Sequence, residues 1–301
     1  MAVAQQPVLT AGPLSVGLAP QFGGALAWLR WQGTDLLRPL PEGAGRHPTP
    51  ERISAAYPLV PYSNRIADAR FEWQGRHYEL QRNFGKHPHS LHGFGWQRPW
   101  TLTQQGSHAA LMTLTHSADG NWPWNCTAEQ HLSLDAQGLT LTLSLNNQDR
   151  TDMPAGLGWH PYFLRTEQMT LQFSARRQWT MNEYHLPDQA IPVPSNADFS
   201  QARSLGWPGL DHCFSGWPGE ARLYWPEHGL EVRLLAPEFG HLVVFTPEQR
   251  NFVAIEPVTH VNNAINWPQP EHLGLQTLPP GARITRTLQL LVEPQQSETP
   301  S

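Results

Sequence analysis

The 301-residue chain has only two cysteines, Cys126 and Cys213, far apart and in no C-x-x-C pair. That argues against a disulfide framework and against a cysteine-based metal or redox motif. No apolar run approaches the roughly 18 residues that a membrane-spanning helix requires. The stretch from Met1 to Gln6 lacks a charged segment followed by an apolar one, so no signal peptide is expected. Basic runs are missing too. The 20 Lys and Arg stand against 25 Asp and Glu, for a net charge of -5, which gives no footing to a nucleic-acid groove. These absences set the expectation of a cytoplasmic protein that binds neither nucleic acid nor membrane.

Long uninterrupted helical stretches are also scarce, because 29 prolines and 24 glycines cut the chain into short pieces. Strand signals fill the gaps. Leu139 to Leu145 alternates perfectly, with every leucine on one face. His131–Leu134 precedes it across Asp135-Ala136-Gln137-Gly138, a hairpin turn. Phe71–Trp73 and His77–Leu80 flank Gln74-Gly75 in a second hairpin. Further strands are predicted at 26–31, 100–103, 111–115, 170–173, 230–235, 242–245, 252–255 and 284–292, and a loop at 41–52. Many short strands at close spacing predict a mostly β fold, a large antiparallel β sandwich. No composition shift marks a linker, so residues 1–301 read as one domain, with 294–301 a disordered tail.

Thirteen tryptophans and fifteen histidines are the compositional excess. Tryptophan stacks well on ring-shaped ligands and equally well fills cores. The chemistry concentrates in five segments. Gly158-Trp159-His160-Pro161-Tyr162-Phe163 sets an imidazole beside a stiff proline and two aromatics. In isolation it also fits a histidine buried at a strand end. Asn64-Arg65 pairs an amide with a guanidinium, able to grip vicinal hydroxyls. His87, His89 and His92 invite a metal, but the stretch lacks the carboxylates and cysteines that usually accompany one. Gly93 and Gly95 instead suggest a sharp turn that points His92 into a cavity. Asp211 follows a Trp-Pro-Gly-Leu loop, where it can accept from hydroxyls or cap local backbone. Glu256 ends an apolar strand against Pro257, and burial there would raise its pKa and strengthen it as a base.

Taken in order, Asn-Arg, Leu-His-Gly, His-Pro-Tyr-Phe, Leu-Asp-x-x-Phe and Ile-Glu-Pro make the chain resemble the aldose 1-epimerase (galactose mutarotase-like) family. The resemblance runs from about Leu18 to about Leu290. It implies a β supersandwich, no metal and no organic cofactor, and a small-molecule sugar as partner, in a monomer or homodimer. By motif, Glu256 corresponds to the general base and His160 to the general acid. Arg65, His92 and Asp211 correspond to substrate-binding residues, with Asn64 supporting Arg65. Trp96 or Phe94 would pack on the sugar. Two departures concern the sugar rather than the chemistry: His92-Gly-Phe-Gly where the galactose-type pattern has two glycines, and Leu164-Arg165 where it has Asn-Leu. They leave open a hexose-6-phosphate 1-epimerase, for which Arg70, Arg82, Lys86 and Arg98 are candidate cations. A carbohydrate-binding β sandwich without catalysis is the alternative from another class.

Overall fold

Period-two alternation shapes both large sheets of the computed structural model, which describes residues 6–104, 106–205 and 209–295. Cys126–Leu134 and Gly138–Asn147 form the predicted hairpin, with Leu134 opposite Leu139. Asp135 closes its turn by accepting the Gln137 and Gly138 N–H groups on Oδ1. Leu139, Leu141, Leu143 and Leu145 are all fully buried, on the face that alternation assigns them. Next to this hairpin lies Arg283–Pro294, and the sheet continues through Leu230–Leu235 and Glu220–Trp225.

Eleven described strands make the larger sheet, antiparallel throughout its pairings. Nine make the smaller one. One face of each sheet contributes to a shared core: Leu26, Trp159, Phe163, Val253 and Ile255 from the larger meet Leu141, Leu143, Leu288 and Leu290 from the smaller. The other face of the larger sheet carries a second buried cluster, including Tyr57, Leu59, Tyr162, Ala254 and Val258. The central strands are therefore buried on both faces, as in Gly158–Leu164 and Phe252–Val258.

These central strands carry prolines that an ordinary ladder would exclude. Gly158 pairs with Val258, and pairing resumes at Tyr162 with Ala254. Between those levels lie Pro161 and Pro257, neither with an N–H to donate. The break in the ladder falls at the level of His160 and Glu256.

The hairpin predicted around Gln74-Gly75 forms as Arg70–Trp73 with Arg76–Glu79. The expected loop at 41–52 contains two single-turn 3-10 helices, Ala44–Arg46 and Pro50–Ile53. The first two residues of the tail expected at 294–301 are ordered: Pro294 ends the last strand, and the Gln295 N–H donates to the Gly229 carbonyl at 2.7 Å. Residues 296–301 lie outside the described ones. No helix among the described residues is long and apolar enough to cross a membrane.

Candidate active site

Alternation on the outer face of the larger sheet assembles the site. Gly158, His160 and Tyr162 share that face, while Trp159 and Phe163 turn to the core. The expectation that both Tyr162 and Phe163 flank the imidazole is thus half met: adjacent strand residues point to opposite faces. On the next strand Glu256 lies between Ala254 and Val258, which face the same way, and opposite Val243. Asp211 opens the Asp211–Ser215 strand opposite Phe245. On the other side His160 stands opposite Tyr57, in Ala56–Leu59. A cleft of about 580 Å³, its mouth included, runs over these strands, and all six predicted residues line it: Asn64, Arg65, His92, His160, Asp211 and Glu256.

Three of the six arrive on a separate small element, Arg65–Ile66 paired with Ser90–Leu91. Asn64 and His92 directly flank it, both in the left-handed region, with φ of 57° and 58°. The His92 N–H donates to the Asn64 carbonyl at 2.8 Å. The Asn64 N–H donates in return to His92 Nδ1 at 3.0 Å. With Nδ1 an acceptor, the ring carries its proton on Nε2. Burial, aided by the Arg65 charge, holds the His92 pKa down to about 3, so the ring is neutral. Asn64 Oδ1 accepts both the Arg65 N–H at 3.0 Å and Arg65 Nη1 at 3.1 Å, which fixes the guanidinium at the cleft wall.

His160 Nε2 and Glu256 Oε1 are 3.2 Å apart, with the Glu256 side chain 3% exposed. Burial dominates both groups and disfavours each charge. It raises the Glu256 carboxyl well above its ordinary 4.5, with Asp211 adding to the rise and Arg65 opposing it. It drives the His160 imidazole well below 6.5, with His92 and Arg38 contributing. Each group is thereby pushed toward its uncharged form, the carboxylic acid and the neutral imidazole. His160 Nδ1, Glu256 Oε2 and Arg65 Nε are buried and have no hydrogen-bond partner among the described residues. Such atoms are costly to leave unmade, and a polar ligand in the cleft is the natural source of partners.

The walls are aromatic. Tyr57 stacks on Trp96, with ring centres 5.8 Å apart, and Trp96 lines the cleft as expected. Phe94 does not; it stacks on His116 at 3.9 Å, within the core between the sheets. Tyr57 and Arg52 also line the cleft and were not foreseen from the sequence. The signal for Tyr57 was masked by Pro58, which hid a short central strand.

The other candidate cations go elsewhere. Arg70 donates to Glu79 at 3.0 Å, and Arg98 to His116 Nδ1 and Asp119. Arg82 and Lys86 are exposed and are not among the residues lining the cleft. His89 Nδ1 accepts the Asp68 N–H at 2.9 Å and His92 Nδ1 the Asn64 N–H at 3.0 Å, so these two histidines of the segment bond to separate backbone donors.

Residues 11–291 match the family model described as Aldose 1-epimerase. YphB of Escherichia coli K12, a protein of uncharacterised function, is 31% identical over 294 residues, 95% of this chain and 98% of YphB. An aldose 1-epimerase of Haemophilus influenzae is 28% identical over 178 residues, 51% of each chain. Among solved structures, an Escherichia coli K12 protein provisionally described as an aldose 1-epimerase superposes with a TM-score of 0.88 at 30% identity, covering 96% of this chain and 99% of that one. The GalM/aldose epimerase homologue of C. elegans superposes at 0.83 with 17% identity, covering 98% and 100%, and shares the fold.

Proposed function

The chain belongs to the aldose 1-epimerase family, and on that footing we propose that it is a mutarotase, interconverting the α and β anomers of an aldose. The observation that carries this reading is the buried His160–Glu256 contact at 3.2 Å. A protein that only binds sugar has no need of a matched acid and base.

Opening a hemiacetal requires a proton to leave the C1 hydroxyl and another to reach the ring oxygen. Glu256 takes the first as a carboxylate, and His160 supplies the second as an imidazolium. The C1–O5 bond breaks, the C1 hydroxyl becomes the aldehyde carbonyl, and the pair is left as neutral carboxylic acid and neutral imidazole. Rotation about C1–C2 offers the other carbonyl face. The O5 hydroxyl then attacks C1, returning its proton to His160, while Glu256 protonates the new C1 oxygen.

The two protonation states hold the same number of protons. Burial favours the uncharged one, which is the state that accompanies the open-chain aldehyde. Burial pushes the free pair the same way, so the charged pair that opens the ring is formed by moving the proton from Glu256 to His160 across their 3.2 Å contact. Arg65, pinned by Asn64, and the Nε2–H of His92 are placed to hold hydroxyls still while C1 turns. Asp211 adds an acceptor on the opposite wall.

The test is anomer exchange measured by NMR on a panel of free and phosphorylated aldoses. Exchange above the buffer rate for at least one sugar, lost in Glu256→Gln, is the expected result. Exchange at the buffer rate across the panel would leave the binding-only reading in its place. Arg52 and Arg65 are the cleft-lining cations a sugar phosphate would meet, so the phosphorylated members report on that alternative.

A further inference from the structure

His160 packs against two tyrosine rings, and the cation that fixes one of them has no part in the proton transfers above. Ring centres of Tyr57 and Tyr162 lie 4.7 Å and 4.5 Å from that of His160. Their hydroxyls meet at 3.2 Å. Behind Tyr162 lies Arg38. Its guanidinium carbon sits 3.8 Å from the Tyr162 ring centre and 4.4 Å from that of Phe252. Nη2 donates to the carbonyls of Arg52 at 2.6 Å and Ser54 at 2.9 Å, and Nε to Ser54 at 3.2 Å. The Arg38 N–H donates to the Tyr162 carbonyl at 2.8 Å. Among the described residues the partners of this guanidinium are carbonyls and aromatic faces rather than carboxylates, so its positive charge is held in place without a paired anion there.

A planar cation is suited to this position. It stacks on an aromatic face while its edge donates in a fixed fork, which an ammonium cannot do. Tyr162 is two residues from His160 on the same strand face, so any tilt of its ring reaches the imidazole directly. The charged and titratable groups facing His160 are Glu256 at 3.2 Å, His92 with ring centres 5.4 Å apart, the two tyrosines, and Arg52, Arg65 and Asp211 around the cleft. Arg38 is set apart from these because Tyr162 shields it from whatever occupies the cleft.

We propose that Arg38 is a positioning residue for the acid–base pair: through Tyr162 it fixes the His160 ring and biases the shared proton toward Glu256. The proposal rests on the mutarotase reading. Its cation is among the influences that lower the His160 pKa, after burial and His92.

The experiment compares wild type with Arg38→Gln and Arg38→Lys, by pH-dependent NMR of the His160 ring and by kcat and KM for anomer exchange. Gln keeps an amide donor at the place of Nε, beside the Ser54 carbonyl, but removes the charge. Its His160 titration and the acid limb of kcat should both move up by about one pH unit, the size expected of one charge within about 8 Å. Its kcat should fall about 10-fold with KM within about twofold. Lys should restore the titration but not the full kcat, because it loses the planar contact. A folded Gln variant with the wild-type His160 titration overturns the proposal, even if its melting temperature falls. Should Gln not fold, wild-type kcat in Arg38→Lys overturns it. The ring titration is read without substrate, so a wild type that exchanges no anomers would refute the mutarotase reading and leave this measurement intact.

Discussion

Asn64 and His92 hold each other by reciprocal bonds, the His92 N–H on the Asn64 carbonyl and the Asn64 N–H on the His92 ring nitrogen Nδ1. This clasp decides which ring nitrogen is left for a ligand. It also ties the residue that fixes Arg65 to the residue that faces His160, at a ring-centre distance of 5.4 Å. Substrate grip and acid–base chemistry therefore share one rigid support.

Replacing Asn64 by glycine tests the grip alone. Glycine accepts the left-handed backbone at this position, where φ is 57°, but has no Oδ1 for the Arg65 guanidinium. A hydrogen bond to a charged group contributes about 1.5–3 kcal/mol, so KM should rise about 10-fold or more while kcat changes less. Wild-type KM in steady-state exchange kinetics would show that Arg65 needs no pin.

The pH–rate profile follows from the directions of the two shifts. The active pair holds one proton. Its acid limb is the gain of a second by His160, whose affinity burial pushes well below 6.5. Its alkaline limb is the loss of the proton from Glu256, pushed well above 4.5. The shifts move the limbs apart, so kcat should be flat through neutral pH and fall on both sides. A narrow optimum confined between 4.5 and 6.5, the ordinary values, would mean that the pair titrates as if solvated.

Glu256→Gln should abolish exchange by about 10²–10⁴-fold and at the same time stabilise the fold at neutral pH. The folded carboxyl binds its proton more tightly than the unfolded one. Above pH 4.5 unfolding therefore releases a proton and is favoured by it, a penalty absent at lower pH. Thermal melts should show the Gln variant above wild type at pH 7, with the gap closing toward pH 4. Equal melting temperatures at both pH values would contradict the raised pKa.

Gly93→Ala addresses the turn that aims His92. Gly93 has a φ of 71°, and a Cβ there would lie 2.1 Å from the Val60 carbonyl oxygen, a backbone atom with little room to yield. A loss of about 2–4 kcal/mol in a urea titration is expected. Activity should fall along with it, since His92 is the preceding residue. A near-neutral Gly93→Ala would show that this loop adjusts.

Much of this was legible in the residues. Alternation in 139–145 forces a one-sided strand whatever its neighbours, and Asp135 and Gly138 dictate the turn before it. The polar motifs also stood out, because an Asn-Arg pair or a Glu inside an apolar run is anomalous against local propensity. Prolines obscured the rest. Ala56–Leu59 contains Pro58 and reads as a breaker, yet it is a central strand that brings Tyr57 to the imidazole.

What the sequence determined by itself is local: where strands run, which residues alternate, and which chemical groups the chain carries. Only the tertiary structure decided that His160 faces Glu256, that Trp96 enters the cleft while Phe94 turns to the core, and that Arg98 and Arg70 spend their charge on Asp119 and Glu79. The reason is physical. Periodicity and turn chemistry act over a few residues, whereas desolvation and the partner of a charge depend on which distant strands lie side by side. The lowered proton affinity of His160 and the raised one of Glu256 follow from that burial, which local sequence does not carry.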